Sequence, residues 1–173
     1  MSAMRRFCAG YENSASSRRV AILWKNGIAQ YGGGITDGTH TAYANSVYVS
    51  GGIVYVVGYE NPSGRDVAKL WINGAAQYGG GITNGARNAQ ATSVYVSGGD
   101  VYVVGLEYNT SGMTVAKLWK NGAAQYGAGL SDGSTNAMAT SVFVSGSDVY
   151  VAGYEMSASG SIAKVWKNGV APR

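Results

Sequence analysis

The chain has 173 residues, 46% of them hydrophobic, with 27 glycines, 2 prolines and 13 tyrosines, which excludes disorder and gives one domain material for a sizeable core. Its formal charge is +4, yet charged residues are only 13% of the chain, so the dense basic stripe of a nucleic-acid binder is absent and so is any membrane-spanning run. The single cysteine, Cys8, excludes an intrachain disulfide and a cysteine-based zinc site.

Residues 1–6 are basic, but no apolar segment follows them, so no signal peptide is expected in this chain. The first predicted strand covers residues 7–12. A loop over 13–19 leads to a strand ending at Trp24, and Asn26-Gly27 then turns the chain. Asn-Gly tolerates φ>0 at both central positions, as a type I′ hairpin requires. The frame Trp-x-Asn-Gly returns at Trp71, Trp119 and Trp166, at intervals of 47, 48 and 47 residues. A second marker, Gly-aromatic-Glu, recurs at Gly10-Tyr11-Glu12, Gly58-Tyr59-Glu60 and Gly153-Tyr154-Glu155, with Gly105-Leu106-Glu107 as its variant. A fixed period of this length marks a repeat architecture.

The last unit shows the predicted plan. Strand A covers 141–144, strand B 148–155 and strand C 162–166, with a Ser-Gly-Ser turn between A and B. Strand D is clearest one unit earlier, at 123–126, followed by a long loop over 127–140. Both side-chain rows of a strand such as Val101-Tyr102-Val103-Val104 are apolar, which fits sheets covered on both faces. The expected fold is all-β: a β-propeller of four-stranded blades, about three and a half of them, forming one repeat domain over 1–173. A partial blade covers 1–46, full blades 47–93 and 94–141, and a partial blade 142–173. The rival all-β reading is a β-trefoil, which four Trp frames disfavour.

The succession Val54-Tyr55-Val56-Val57-Gly58, then Val67-Ala68-Lys69-Leu70, a glycine-rich stretch and Ser93-Val94-Tyr95-Val96 resembles the bacterial β-propeller repeats of the SBBP and NHL types. The resemblance covers nearly the whole chain. It implies the propeller fold and a secreted or cell-surface location, and it implies no particular function. Strand A of that family often ends in Asp, whereas Ser50, Ser97 and Ser145 stand here, so no role of that Asp carries over.

Hairpin geometry places the short A–B and C–D turns at one end of the units. The long, divergent B–C loops (13–19, 61–66, 108–114, 156–161) and the D–A loops lie at the other, where ligand binding is expected. Glu12, Glu60, Glu107 and Glu155 close strand B there. They are either acceptors for sugar hydroxyls or a cation, or partners of the strand-C lysines Lys69, Lys117 and Lys164, with Ile22 in that place in the first unit. Asp37, Asn84 and Asp132 each precede a glycine in a D–A loop, as binding groups or as turn formers. The tryptophans are either a stacking platform or packing between blades. His40 has no nucleophile or orienting acid beside it in sequence, and Cys8 is expected to be a small buried residue. No catalytic motif occurs.

The chain is therefore expected to be a non-enzymatic binding or interaction module for a glycan or a protein, with no cofactor, no metal site, no nucleic acid and no membrane partner. The alternative functions are an assembly unit that completes a propeller ring by homo-oligomerisation and, third, a propeller hydrolase or lyase. The first unit starts in strand B and the last stops after strand C. The chain is thus expected to be a homo-oligomer, a part of a longer propeller or a small ring with one imperfect blade.

Overall fold

The computed structural model describes residues 5–127 and 129–171. It is all-β, with four antiparallel sheets met in chain order. The first holds β1 (Phe7–Asn13), β2 (Arg19–Lys25) and β3 (Ile28–Ala29). The second holds β4 (Thr41–Ser50), β5 (Ile53–Asn61), β6 (Val67–Ile72) and β7 (Ala75–Ala76). The third holds β8 (Ala89–Ser97), β9 (Asp100–Tyr108), β10 (Thr114–Lys120) and β11 (Ala123–Ala124). The fourth holds β12 (Ala137–Ser145), β13 (Asp148–Ser157) and β14 (Gly160–Lys167).

Three local rules explain this regularity. Each Asn-Gly pair closes its hairpin with both residues at positive φ, for example Asn121 at 50° and Gly122 at 82°. The asparagine side chain then accepts a backbone N–H near the start of the B strand: Val54, Val101 and Val149 donate to Asn73, Asn121 and Asn168 at 2.8–3.0 Å, and Arg6 donates to Asn26 at 2.9 Å. Second, every complete A strand carries a bulge, between Ala44 and Ser46, Ala91 and Ser93, and Ala139 and Ser141. Gly58, Gly105 and Gly153 pair with the alanine just before it. A Cβ at those glycines would stand 1.8, 1.9 and 2.1 Å from the carbonyl oxygens of Tyr43, Gln90 and Met138. Close backbone approach therefore demands glycine in the Gly-aromatic-Glu frame.

Third, strand D is shorter than the predicted 123–126, because the tyrosine after it leaves the ladder. Tyr31, Tyr78 and Tyr126 sit at φ 55–56°, a left-handed geometry uncommon for a bulky residue. Each ring covers the turn glycine of the next sheet, Gly74, Gly122 or Gly169. The chain then returns along strand C: Ile35, Ile82 and Leu130 donate their N–H groups to Ala21, Ala68 and Ala116 at 2.7–2.8 Å. Strand A also begins earlier than predicted, at Ala137 rather than 141, since the residues before the bulge pair fully with β13.

The sheets pack in sequence: β4 lies on β1 and β2, β8 on β4, β5 and β6, and β12 on β8, β9 and β10. Each junction buries one apolar cluster. Leu23 and Ala21 meet Ala42, Ala44, Val56 and Trp71 at the first. Val57 and Leu70 meet Ala89, Ala91 and Trp119 at the second. Val104 and Leu118 meet Ala137, Val142 and Trp166 at the third. Trp71, Trp119 and Trp166 thus point towards the preceding sheet, where their indoles are buried. Trp24 lies on the first sheet, with no sheet before it among the described residues, and is only half-buried. Cys8 is exposed for the same reason, against the expectation of burial: its counterparts Val56, Val103 and Val151 are buried under a preceding sheet. The bulge residues add polar ties. Asn45 donates its side-chain amide to the Ala91 carbonyl at 2.8 Å, and the Thr92 hydroxyl donates to the Ala139 carbonyl at 2.7 Å, each crossing to the next sheet.

Candidate functional site

Both hairpin types put the B–C and D–A loops at one end of the sheets, and a cleft lies there on the first two sheets. Its volume is about 530 Å3, and Arg18, His40, Tyr43, Tyr59, Asn61 and Asp66 line it. The second sheet supplies the floor. Tyr43 and Tyr59 are cross-strand partners, and their rings stack at 4.7 Å between centroids with 20° between planes. Tyr11 meets Tyr43 edge-on at 4.8 Å. The Arg19 guanidinium stands over both rings, 5.0 Å from Tyr43 and 5.3 Å from Tyr11, an arrangement that joins the first two sheets. Burial, and after it the Asp66 charge, raises the Tyr59 phenol above its ordinary pKa.

The polar wall is fixed by hydrogen bonds. Asp66 accepts from the Asn61 amide at 2.9 Å and from the Gln90 amide at 2.7 Å. Arg18 donates to the Thr39 carbonyl. The Thr39 hydroxyl lies 2.7 Å from an Asp37 oxygen and 3.0 Å from His40 Nδ1. His40 Nδ1 lies 3.7 Å from Glu60, whose other oxygen holds Lys69 at 2.8 Å. Asp37, Thr39, His40, Glu60 and Lys69 therefore form one polar chain that meets the cleft at Thr39 and His40.

The glutamates occupy the loop end of each sheet, one per sheet. Glu60, Glu107 and Glu155 hold Lys69, Lys117 and Lys164 at 2.8, 3.3 and 3.0 Å. Glu12 is exposed, and the residue opposite its neighbouring glycine is Ile22. Arg18 and Arg19, the two cations near Glu12, are turned to Thr39 and to the tyrosine rings. Asp37 and Asp132 accept from the N–H and hydroxyl of Thr39 and Ser134 at 2.7–2.9 Å. Those bonds hold both carboxyls below the ordinary aspartate range, led at Asp37 by the Thr39 hydroxyl and at Asp132 by the Ser134 N–H. Asn84 accepts from the Ala86 N–H at 3.0 Å. All three act in turns of their own loops. Among the described residues no three His, Cys, Asp or Glu side chains converge as a metal site would need.

Of the residues singled out from sequence, only Glu60 and Asp37 come together, bridged by His40 and Thr39. Arg18, Asn61 and Asp66 lie in the B–C loops where binding was expected from sequence, but they were not singled out as site residues, and neither were Tyr43 and Tyr59. One signal existed: at the position of Tyr43 the other units carry Gln90 and Met138, so this unit alone pairs two tyrosines there. No family model, curated protein or solved structure matches this chain.

Proposed function

We propose that the four sheets are consecutive blades of a β-propeller-type repeat, and that the chain is a non-enzymatic binding module taking a glycan in the cleft beside Tyr43 and Tyr59. The carrying observation is the pairing of stacked tyrosines with a wall of planar polar groups, Arg18, His40, Asn61 and Asp66. A sugar ring offers C–H faces to aromatic rings and hydroxyls to planar donors and acceptors, so one cleft serves both needs. A concave site with few, fixed polar groups is the usual form of a small-ligand site. The propeller reading is supported by consecutive face-to-face stacking of sheets with one register plan and a tryptophan buried at each junction.

A glycan array probed with the wild-type protein and with Tyr59→Leu tests the reading. Leucine already stands at this position in the third unit, as Leu106, so the variant keeps the fold. The expected result is a sugar-specific signal that Tyr59→Leu and Arg18→Ala each reduce at least tenfold. A signal equal in wild type and variants, or none at all, overturns the glycan reading; protein capture through the same residues would then make the module a protein binder.

A further inference from the structure

The sequence holds five Asn-Gly pairs. In such a pair nothing shields the glycine nitrogen from the neighbouring carboxamide, because glycine has no side chain. Four of the pairs close the C–D hairpins, at Asn26, Asn73, Asn121 and Asn168. The fifth, Asn84-Gly85, lies in the D–A loop after the second sheet, where the sister loops carry Asp37-Gly38 and Asp132-Gly133.

Their surroundings set the fifth pair apart from the four. Each hairpin asparagine stands at positive φ, 49–52°, and its side-chain oxygen is held by a backbone N–H near the start of strand B at 2.8–3.0 Å. Asn121 and Asn168 are held through their amide nitrogens as well, on Asp100 and Asp148 at 2.8 Å. Gly74, Gly122 and Gly169 are covered by tyrosine rings. Folding the carboxamide back onto its own glycine would break these hydrogen bonds. Asn84 is held the other way round. It is exposed, and its side-chain oxygen accepts from the N–H of Ala86, two residues on, at 3.0 Å. The ring closed by that bond contains the Gly85 nitrogen, so the carboxamide is folded over the very peptide whose nitrogen can attack it. The Ala86 N–H also stands where negative charge collects on the oxygen during that attack. Asp37 and Asp132 accept the equivalent N–H groups, of Thr39 and Ser134, at 2.9 Å, so an aspartate at position 84 fits the same turn.

We propose that Asn84 is a self-modification site, which deamidates through a succinimide while the fold protects the four hairpin asparagines. The Gly85 nitrogen forms a bond to the side-chain carbonyl carbon of Asn84. The bond from that carbon to Nδ2 breaks, and Nδ2 leaves as ammonia with the proton from Gly85. Water then opens the five-membered ring at either carbonyl, giving aspartate or isoaspartate. Asn84 and Lys69 line one cleft of about 600 Å3. The product therefore brings a new carboxylate to a cleft that already holds a cation, and lowers the formal charge of +4 by one. The inference does not depend on the glycan reading.

The test is prolonged incubation of the folded chain at mildly alkaline pH, beside a sample held in denaturant, with the tryptic peptides of both sequenced by mass spectrometry. In denaturant all five asparagines should gain one mass unit at comparable rates. In the folded chain Asn84 should gain it at least tenfold faster than any hairpin asparagine, partly as isoaspartate. Ion exchange should resolve the product as a species with one more negative charge, absent from Asn84→Gln. An Asn84 that stays intact in the folded chain, a hairpin asparagine modified as fast as Asn84, hairpin asparagines no faster in denaturant than when folded, or a charge variant that persists in Asn84→Gln would each overturn the proposal.

Discussion

Glycines that look alike in sequence do different work. Gly105 faces the Gln90 carbonyl at 1.9 Å from where a Cβ would stand, and backbone cannot step aside. Gly10 belongs to the same sequence frame, yet the first sheet has no A strand opposite it among the described residues. A Cβ there would meet only the Trp24 ring, at 3.1 Å. Gly105→Ala should therefore cost about 3 kcal/mol or more, and Gly10→Ala less than about 1 kcal/mol. Chemical denaturation of the two variants against wild type checks the difference. Asn121→Gly keeps the positive φ of its turn but removes the acceptor for the Val101 N–H; it should cost about 1–2 kcal/mol. Asp100 and Asp148 give the pH dependence. Hydrogen bonds from Lys120 and Lys167 first, then from Asn121 and Asn168, hold both carboxyls below 3.8. A depressed carboxyl contributes stability above its unfolded value and loses it as pH falls through the folded one. The thermal melt should thus fall on acidification below 3.8, and the Asp100→Asn, Asp148→Asn double variant should fall less steeply over that window.

At the scale of the element, the strand succession was legible because each unit punctuates itself: Asn-Gly at one hairpin, Ser-Gly at the other, and apolar runs between. The Glu–Lys pairs were legible as well, since cross-strand position follows from hairpin register. Two features were not. The bulge in strand A leaves no mark in its own sequence except the glycine paired with it on strand B. The left-handed tyrosine that ends strand D looks like any aromatic strand residue, and only its contact with the next sheet's turn glycine explains it. Element position also decides energetics. Leu118 on β10 and Val165 on β14 occupy the same place, but only Leu118 is covered by another sheet. Leu118→Ala should cost about 2–5 kcal/mol and Val165→Ala under about 1 kcal/mol, measured by chemical denaturation.

At the scale of the molecule, repetition builds the scaffold and departures from it build the candidate site. Trp71, Trp119 and Trp166 are interchangeable and buried, so their role is packing between sheets. The cleft arises where the repeat is broken: Tyr43 where other units have Gln90 and Met138, His40 where they have Arg87 and Thr135, and Asp66 where the first and third sheets have Arg19 and Thr114. Sequence inspection favoured the repeated Glu, Asp and Asn residues, which the fold uses in ion pairs and turns. The non-repeated ones become visible as a set only when β4, β5 and the loop before β4 are brought together. The decisive measurement is a titration of the isotope-labelled protein, followed by backbone NMR, with the glycan that gives the strongest array signal. Shifts confined to residues 39–43 and 59–66, and abolished in Tyr59→Leu, are the predicted result. Shifts centred on another sheet, or unchanged in the variant, would contradict a binding site built on the stacked tyrosines.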